Sequence, residues 1–418
     1  MPLQTKRTFV GFGFGAIQAG LFLYEAFKTG RFSRMVVAEV MPEAVAALKR
    51  NGGRYGLNVA ARDGIHRETI TGIEILNPND EQDRARLIEA IAEADELATA
   101  LPSVKFYGTG GAASVVDLLT AGWALRARSS APHPAVLYTA ENHNHAAEIL
   151  GEALAPALGG NPTLHPFQGI QILNTVIGKM SGTVSDPAQI REQNLIPITP
   201  STDRCFLVEA FNRILISHIR IPGFQRGISV FEEKENLLPF EEAKLYGHNA
   251  THALLGFLAQ RRGLTFISQA ADQPELMSIA RKAFLTESGE ALCRKYPGLD
   301  PLFSPRGYQS YVDDLLERMV NPHLRDAVDR VIRDPQRKLG WDDRLIGTLR
   351  LVRQFGGQPR LYALGAAAAR LQLNREIQPT PPPEWADLWG ADQAASPEGR
   401  ALIGLIDAAT SELLEKGL

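Results

Sequence analysis

The segment LLPFEEAKLYGHNATHALLGFLAQRRG gathers Glu241, Lys244, His248, Asn249 and His252. On a regular helix with Lys244 at zero, His248 falls at about 40°, Glu241 at about 60°, His252 at about 80° and Asn249 at about 140°. All five share one side, and Leu245 and Leu255 fall in the same sector, so these polar groups are expected to look into the protein. A lysine in such a setting loses hydration, which lowers its pKa toward the range useful to a general base. The asparagine amide can donate to an oxygen that gains negative charge, and a histidine can orient either that oxygen or the lysine. The same spacing also describes a solvated face with a Glu241–Lys244 pair and incidental histidines, and spacing alone does not choose between them.

A second cluster lies near the N-terminus, where Gly11, Gly13 and Gly15 interrupt an apolar run between a predicted strand and a predicted helix. Glycine there allows a tight turn and lets backbone N–H groups approach a pyrophosphate at the helix N-terminus. With Gly13 and Gly15 as the first two glycines of G-x-G-x-x-G, the third position is Gln18, and Gly20 follows two residues later. Glu39 ends the second predicted strand, at the distance where an acid accepts the ribose hydroxyls of the adenosine half and repels a 2′-phosphate. The candidate cofactor-binding residues are therefore Gly13, Gly15, Gln18 and Glu39, with NAD expected over NADP; the alternative is a tight turn without a ligand and a surface glutamate.

A third cluster, TAENHNH (139–145), follows the apolar strand PAVLY, and the carboxyl ends of parallel strands are where ligands collect in doubly wound sheets. This favours a role for Asn142. His143 and His145 make a poor zinc signature without thiolates or an HExxH-like helix, and Cys205 and Cys293 are the only cysteines. No metal is expected, and two cysteines are too few for a disulfide framework.

The elements that must hold these groups divide the chain in two. From Arg7, a short strand (8–10), the glycine turn, a helix to about residue 29 and a strand (34–40) make one βαβ unit. Alternation continues through 92–101 and 134–139, with a strand and an apolar element over 203–219, as in a parallel sheet covered by helices on both faces. Beyond about Phe231, helical patterns dominate: 240–261, 274–296, 308–319, 326–332, 342–355 and 361–373. The expected fold is α/β plus α: a Rossmann-like doubly wound domain over 1–232, then a mainly helical domain over 233–418. Pro379, Pro381, Pro382 and Pro383 read as an extended connector before a last helix, 397–416.

Composition restricts the class further. The chain has 418 residues, with 44 Lys and Arg against 47 Asp and Glu, a formal charge of −3. No global field is available to hold nucleic acid or an acidic membrane. The 44% apolar content is that of a globular protein. The apolar run after Lys6 and Arg7 is broken by Gly11, Gly13, Gly15, Gln18 and Gly20 and does not read as a secretory signal, and no window offers the ~20 apolar residues of a membrane span. A cytoplasmic protein without an obligate protein partner is expected.

These residues carry a resemblance to the polyol-specific long-chain dehydrogenases, nearest to their mannitol-1-phosphate 5-dehydrogenase branch. It rests on K-x4-N-x2-H (Lys244, Asn249, His252), on the acid–Asn pair Glu141 and Asn142, and on NPHLRD (321–326) followed by DPQRKLGWDDRLI (334–346). The resemblance implies a dinucleotide-binding domain, a helical domain and a cleft between them. It implies Lys244 as general base, Asn142 and Asn249 as amides that stabilise the alkoxide, His252 as the group that positions the substrate hydroxyl, Glu241 as a proton relay, and no zinc. Arg318 resembles a substrate-side arginine, with a helix-surface pair to Asp314 or Glu317 as the alternative; Arg337, Lys338 and Arg344 are open between phosphate contacts and salt bridges to Asp334, Asp342 and Asp343. The chain departs from the family at VIGKM (176–180), where Gly178 takes a position that commonly carries an acid.

The implied activity is reversible NAD-dependent oxidation of a polyol or polyol phosphate to the ketose, of the mannitol 1-phosphate/fructose 6-phosphate type. Mannitol 2-dehydrogenase or hexuronate reductase activity would use the same chemistry. A dinucleotide-binding sensor that has lost catalysis is the alternative of another class.

Overall fold

The computed structural model describes residues 7–129, 133–158, 164–165, 169–376 and 383–416. Pro379, Pro381 and Pro382 of the expected connector lie outside them. The chain forms two compact units, Met1–Leu237 and Leu238–Leu418.

In the first unit the main sheet runs, edge to edge, Glu232–Lys234, Leu215–Ser217, Ile170–Val176, Ala135–Thr139, Glu96–Thr99, Arg7–Phe12, Phe32–Ala38 and Ile73–Leu76. The strands from Ile170–Val176 to Ile73–Leu76 are parallel, while Leu215–Ser217 runs against Ile170–Val176. Side chains alternate between two cores: Phe9, Val37, Ala98 and Tyr138 face one, and Val10, Val36, Leu97 and Leu137 the other. Both faces are apolar, which is why these strands read as continuous hydrophobic runs.

The two faces are covered differently. Helices Glu81–Glu93, Val115–Arg126 and Ala146–Leu158 supply residues such as Leu87, Leu119 and Leu150 to one core. The other core takes Leu21 and Phe22 from the first helix, together with Tyr55, Leu57, Phe206 and Val208 from a second sheet. That sheet orders Ser181–Val184, Cys205–Glu209, Tyr55–Ala60 and Ile65–Ile70, and it replaces part of the helical layer expected on that face. The expected element over 203–219 is two strands, Cys205–Glu209 and Leu215–Ser217, in different sheets. Alternation alone identifies a strand but not the sheet that takes it.

The second unit is helical. A continuous rod comprises Leu238–Glu242, a π-helical stretch Ala243–Asn249 and Ala250–Arg261. Another runs Pro274–Lys282, π-helical Ala283–Gly289 and Glu290–Lys295. Pro305–Met319, Ile346–Gln354, Arg360–Glu376 and Pro397–Lys416 pack around them. Gly247 and Gly289 permit close approaches between elements: a Cβ on Gly247 would lie 2.6 Å from the Phe284 ring, and one on Gly289 would lie 2.7 Å from the Tyr308 ring.

Candidate active site

The N-terminal turn has the conformation a pyrophosphate seat needs. Gly13 has φ +82°, and a Cβ there would lie 2.9 Å from the Ala100 carbonyl oxygen, so glycine is required on both counts. Gly15 is exposed, and a Cβ on it would meet nothing within 4 Å. Its bare backbone opens onto free space at the helix start, which is the surface an anion approaches. Glu39 braces the turn from the next strand: its carboxylate accepts from the Phe14 N–H at 2.8 Å and from the Met41 N–H at 2.9 Å. The Phe14 ring packs edge-on against Tyr55 and Phe206, which ties the turn to the second sheet. These residues fit a dinucleotide.

Gln18 lies elsewhere than the fingerprint implies. It is fully buried, its amide packed where a Cβ on Gly11 would collide with it, so it fills the core behind the turn. The close helix-to-strand contact usually made at the third glycine falls to Gly20, where a Cβ would collide with Val208. The helix there opens into a π turn, Gln18–Leu23, and the Tyr55 hydroxyl donates to the Ala19 carbonyl at 2.6 Å.

Asn142 stands three residues past Thr139, at the carboxyl end of its strand, in a loop pinned at both ends. Before it, the Glu141 carboxylate is buried and accepts from the Thr99 hydroxyl, the Leu101 N–H and the Tyr107 hydroxyl. After it, Asn174 accepts from the Ala147 N–H and donates to Glu148. His143 accepts from the His145 N–H, so the two histidines engage each other within this loop. Gly178 lies just past the neighbouring strand, with room for a side chain, and Lys179 is buried, donating to the carbonyls of Glu209 and Phe211 and to Asn212.

In the helical unit Lys244 and Asn249 occupy the π-helical stretch, which revises the regular-helix geometry. The wider i→i+5 turn advances less per residue, so Lys244 and Asn249 lie on the same face, about 50° apart instead of about 140°. The neighbouring helix supports the widened turn: Thr348 donates to the Tyr246 carbonyl, and Gly347 leaves room for the Tyr246 ring. Burial and the nearby Arg344 push the Lys244 pKa down to about 8, against Glu241, which raises it. Glu241 is buried and Lys244 half-buried beside it.

His248 is buried, and that burial, with His252, Arg318, Lys244 and Arg344 around it, holds its pKa well below the usual imidazole value, leaving it neutral at neutral pH. His252 places Nε2 3.2 Å from Asp326, off the line of a good hydrogen bond, while Arg330 grips the same carboxylate at 2.6 Å through two nitrogens. Burial alone would raise the Asp326 pKa, but His252 and Arg330 prevail and lower it. Lys244 is therefore within electrostatic range of Glu241, His248 and Arg344, and Asp326 stands beside His252. Asp326 lies in the NPHLRD string, but its approach to His252 had no signal in spacing.

The basic residues downstream are mostly paired. Arg318 reaches Asp314 at 3.2 Å, Arg337 reaches Asp334 at 2.9 Å and Arg344 reaches Asp343 at 2.8 Å. Lys338 is buried and donates to the Arg333 carbonyl; burial, Arg344 and Arg337 push its pKa down to about 8. Among the described residues no group of three or more His, Cys, Asp or Glu side chains is arranged to hold a metal ion, and no helix is long and apolar enough to cross a membrane.

Residues 236–378 match the mannitol dehydrogenase C-terminal domain family, a stretch that contains Glu241, Lys244, Asn249, His252 and Arg318. The fold over 99% of the chain is similar to that of Pseudomonas fluorescens mannitol 2-dehydrogenase in a ternary complex with NAD and D-mannitol, at TM-score 0.69 and 16% identity over 93% of that chain. It is also similar to a D-sorbitol dehydrogenase in substrate-free form, at TM-score 0.76 and 13% identity over 94% of that chain. The resemblance read from the sequence is thus borne out by the family match over residues 236–378 and, for the whole chain, at the level of the fold.

Proposed function

We propose that this chain, whose residues 236–378 belong to the mannitol dehydrogenase C-terminal domain family and whose fold is that of the polyol dehydrogenases, catalyses reversible NAD-dependent oxidation of a polyol hydroxyl to the ketone. The observation that carries this reading is Lys244: a desolvated lysine with a pKa of about 8, on the same face as Asn249 of a π-helical stretch. Glu39, which places a carboxylate beside the turn, supports NAD over NADP. When bound, the nicotinamide supplies the hydride acceptor.

Lys244, in its neutral form, takes the hydroxyl proton onto Nζ as the C–H bond gives up hydride and the C=O bond forms. Asn249 and Asn142 donate to the oxygen while it carries alkoxide charge. His252, with the Asp326 carboxylate beside it, orients the hydroxyl, and Glu241 passes the proton from Lys244 outward. In reduction the same groups act in reverse, with protonated Lys244 as the acid.

The substrate is a polyol or its phosphate. Arg337, Arg344 and Arg318 each already hold a carboxylate, which favours the free polyol. Arg318, which also acts on His248, is the side chain proposed to meet the far end of the substrate. The test is NADH oxidation with fructose, fructose 6-phosphate, fructuronate and tagaturonate. Turnover of at least one ketose supports the reading, and tight NADH binding without turnover of any of them rejects it in favour of a dinucleotide sensor.

A further inference from the structure

Glu141 precedes Asn142 and is 5% exposed, yet among the described residues no cation lies within hydrogen-bonding reach of it; three neutral donors converge on it instead. One oxygen accepts from the Leu101 N–H at 2.9 Å, and the other accepts from the Thr99 hydroxyl at 2.9 Å and from the Tyr107 hydroxyl. A buried carboxylate satisfied by neutral donors is costly to desolvate, and hydrophobic residues of similar volume often serve stability as well. Its placement points to a geometric task.

The three donors come from the adjacent strand end and the segment that follows it. Thr99 closes the strand Glu96–Thr99 and is the register partner of Thr139, the last residue of the strand that leads to Asn142. The ladder continues past both ends, with the Ala140 N–H donating to the Thr99 carbonyl. Leu101 follows Ala100, whose N–H donates to the Phe12 carbonyl and whose own carbonyl lies against Gly13. The carboxylate therefore joins the wall behind the glycine turn to the backbone one residue before Asn142. Tyr107 reaches the same oxygen from the next turn and is itself buried, so the hydroxyl is aimed by packing.

We infer that Glu141 is a positioning residue that fixes the Asn142 amide relative to the glycine turn, so that cofactor seat and alkoxide donor are set by one carboxylate. It touches neither substrate nor cofactor and acts through Asn142; the inference rests on the alkoxide role proposed above for that amide. Displacing a donor by about 1 Å from the oxyanion position forfeits much of its effect, because such stabilisation depends on preorganised geometry.

The test uses the full-length enzyme and whichever ketose it turns over. Glu141→Gln keeps the volume but turns an NH₂ toward two hydroxyls, and it is expected to lower kcat about thirtyfold, a share of the roughly hundredfold attributable to one oxyanion donor. Tyr107→Phe removes one of the three bonds without disturbing the fold and is expected to lower kcat about fivefold. NADH affinity, read by fluorescence, should stay within about twofold in both variants, and the primary deuterium isotope effect should rise as hydride transfer becomes limiting. The decisive measurement is the cycle with Asn142→Ala: a residue that acts through Asn142 has no further effect once the amide is gone. Glu141→Gln that slows the Asn142→Ala enzyme by the same factor as the wild type overturns the inference, as does a wild-type kcat in both single variants. If Glu141→Gln fails to fold, Tyr107→Phe carries the same cycle. A wild-type protein that turns over no ketose refutes the proposed function, a different outcome from turnover with additive variants.

Discussion

Lys244 is opposed by two charges of opposite sign, so its basicity should move in opposite directions when each is removed. Its pKa stands at about 8 against an ordinary 10.5, with burial the largest cause, Arg344 next and Glu241 pulling the other way. The shift of roughly 2.5 units corresponds to about 3.4 kcal/mol against the charged form. At pH 7 roughly 10% of the lysine is then neutral, against roughly 0.03% for an unperturbed one. A unit charge in electrostatic range at an effective dielectric of about 20 contributes on the order of 2 kcal/mol, and partial relaxation reduces that to about one pKa unit. Arg344→Gln should therefore raise the acidic limb of kcat/KM for polyol oxidation by about one unit, and Glu241→Gln should lower it by about one unit. At pH 7 this is about a tenfold loss for the first variant, recovered by about pH 10. The assay is the kcat/KM profile from pH 5.5 to 10.5 at saturating NAD. Shifts of the same sign in both variants, or an acidic limb that neither moves, refute the assignment of that limb to Lys244.

Three other expectations test parts of the fold that hold the site. Glu287 is buried and bonds the Leu361 and Tyr362 N–H groups, yet burial pushes its pKa up to about 7. A carboxyl raised above its unfolded value stabilises the fold below pH 4.5 and loses that contribution as pH climbs to 7, a difference of up to about 3 kcal/mol. Urea unfolding of Glu287→Gln should consequently compare more favourably with wild type at pH 8 than at pH 5, and the reverse order contradicts the argument. Gly11→Ala should cost about 1–3 kcal/mol by colliding with the Gln18 amide, and Gln18→Ala in the same chain should restore much of it; additive losses in thermal melts would count against their packing. Glu39→Ala should narrow the preference for NAD over NADP in kcat/KM and weaken both, because the turn loses two hydrogen bonds; an unchanged ratio would remove the ribose role.

Much of this was legible in the residues because the chemistry is local. The glycine turn followed by Glu39 falls within one strand–helix–strand unit, the strand end before Asn142 and the Lys244-to-His252 spacing are each local, and the alternation of strands and helices conveys the sheet. What was not legible depends on distant packing. The second sheet joins Tyr55–Ala60 to Cys205–Glu209, a pairing no local pattern encodes. The π turn at Ala243–Asn249 needs Thr348 and Gly347 on another helix, so a 100° wheel misplaced Asn249 against Lys244. Gln18 occupied a fingerprint position, yet Gly11 two residues before Gly13 had already made room for it in the core. Arg337 and Arg344 carried acids within three residues, and the structure pairs them there.

The central claim is that Lys244 takes the proton, and Lys244→Ala tests it most directly. The variant should bind NADH with nearly wild-type affinity while polyol oxidation near pH 7 falls by two orders of magnitude or more, a loss of about 3 kcal/mol or greater in transition-state stabilisation. Added primary amine should restore part of the rate, with a pH dependence that follows the amine. A Lys244→Ala enzyme that keeps wild-type turnover across the pH range would contradict the account and transfer the base to His248 or His252.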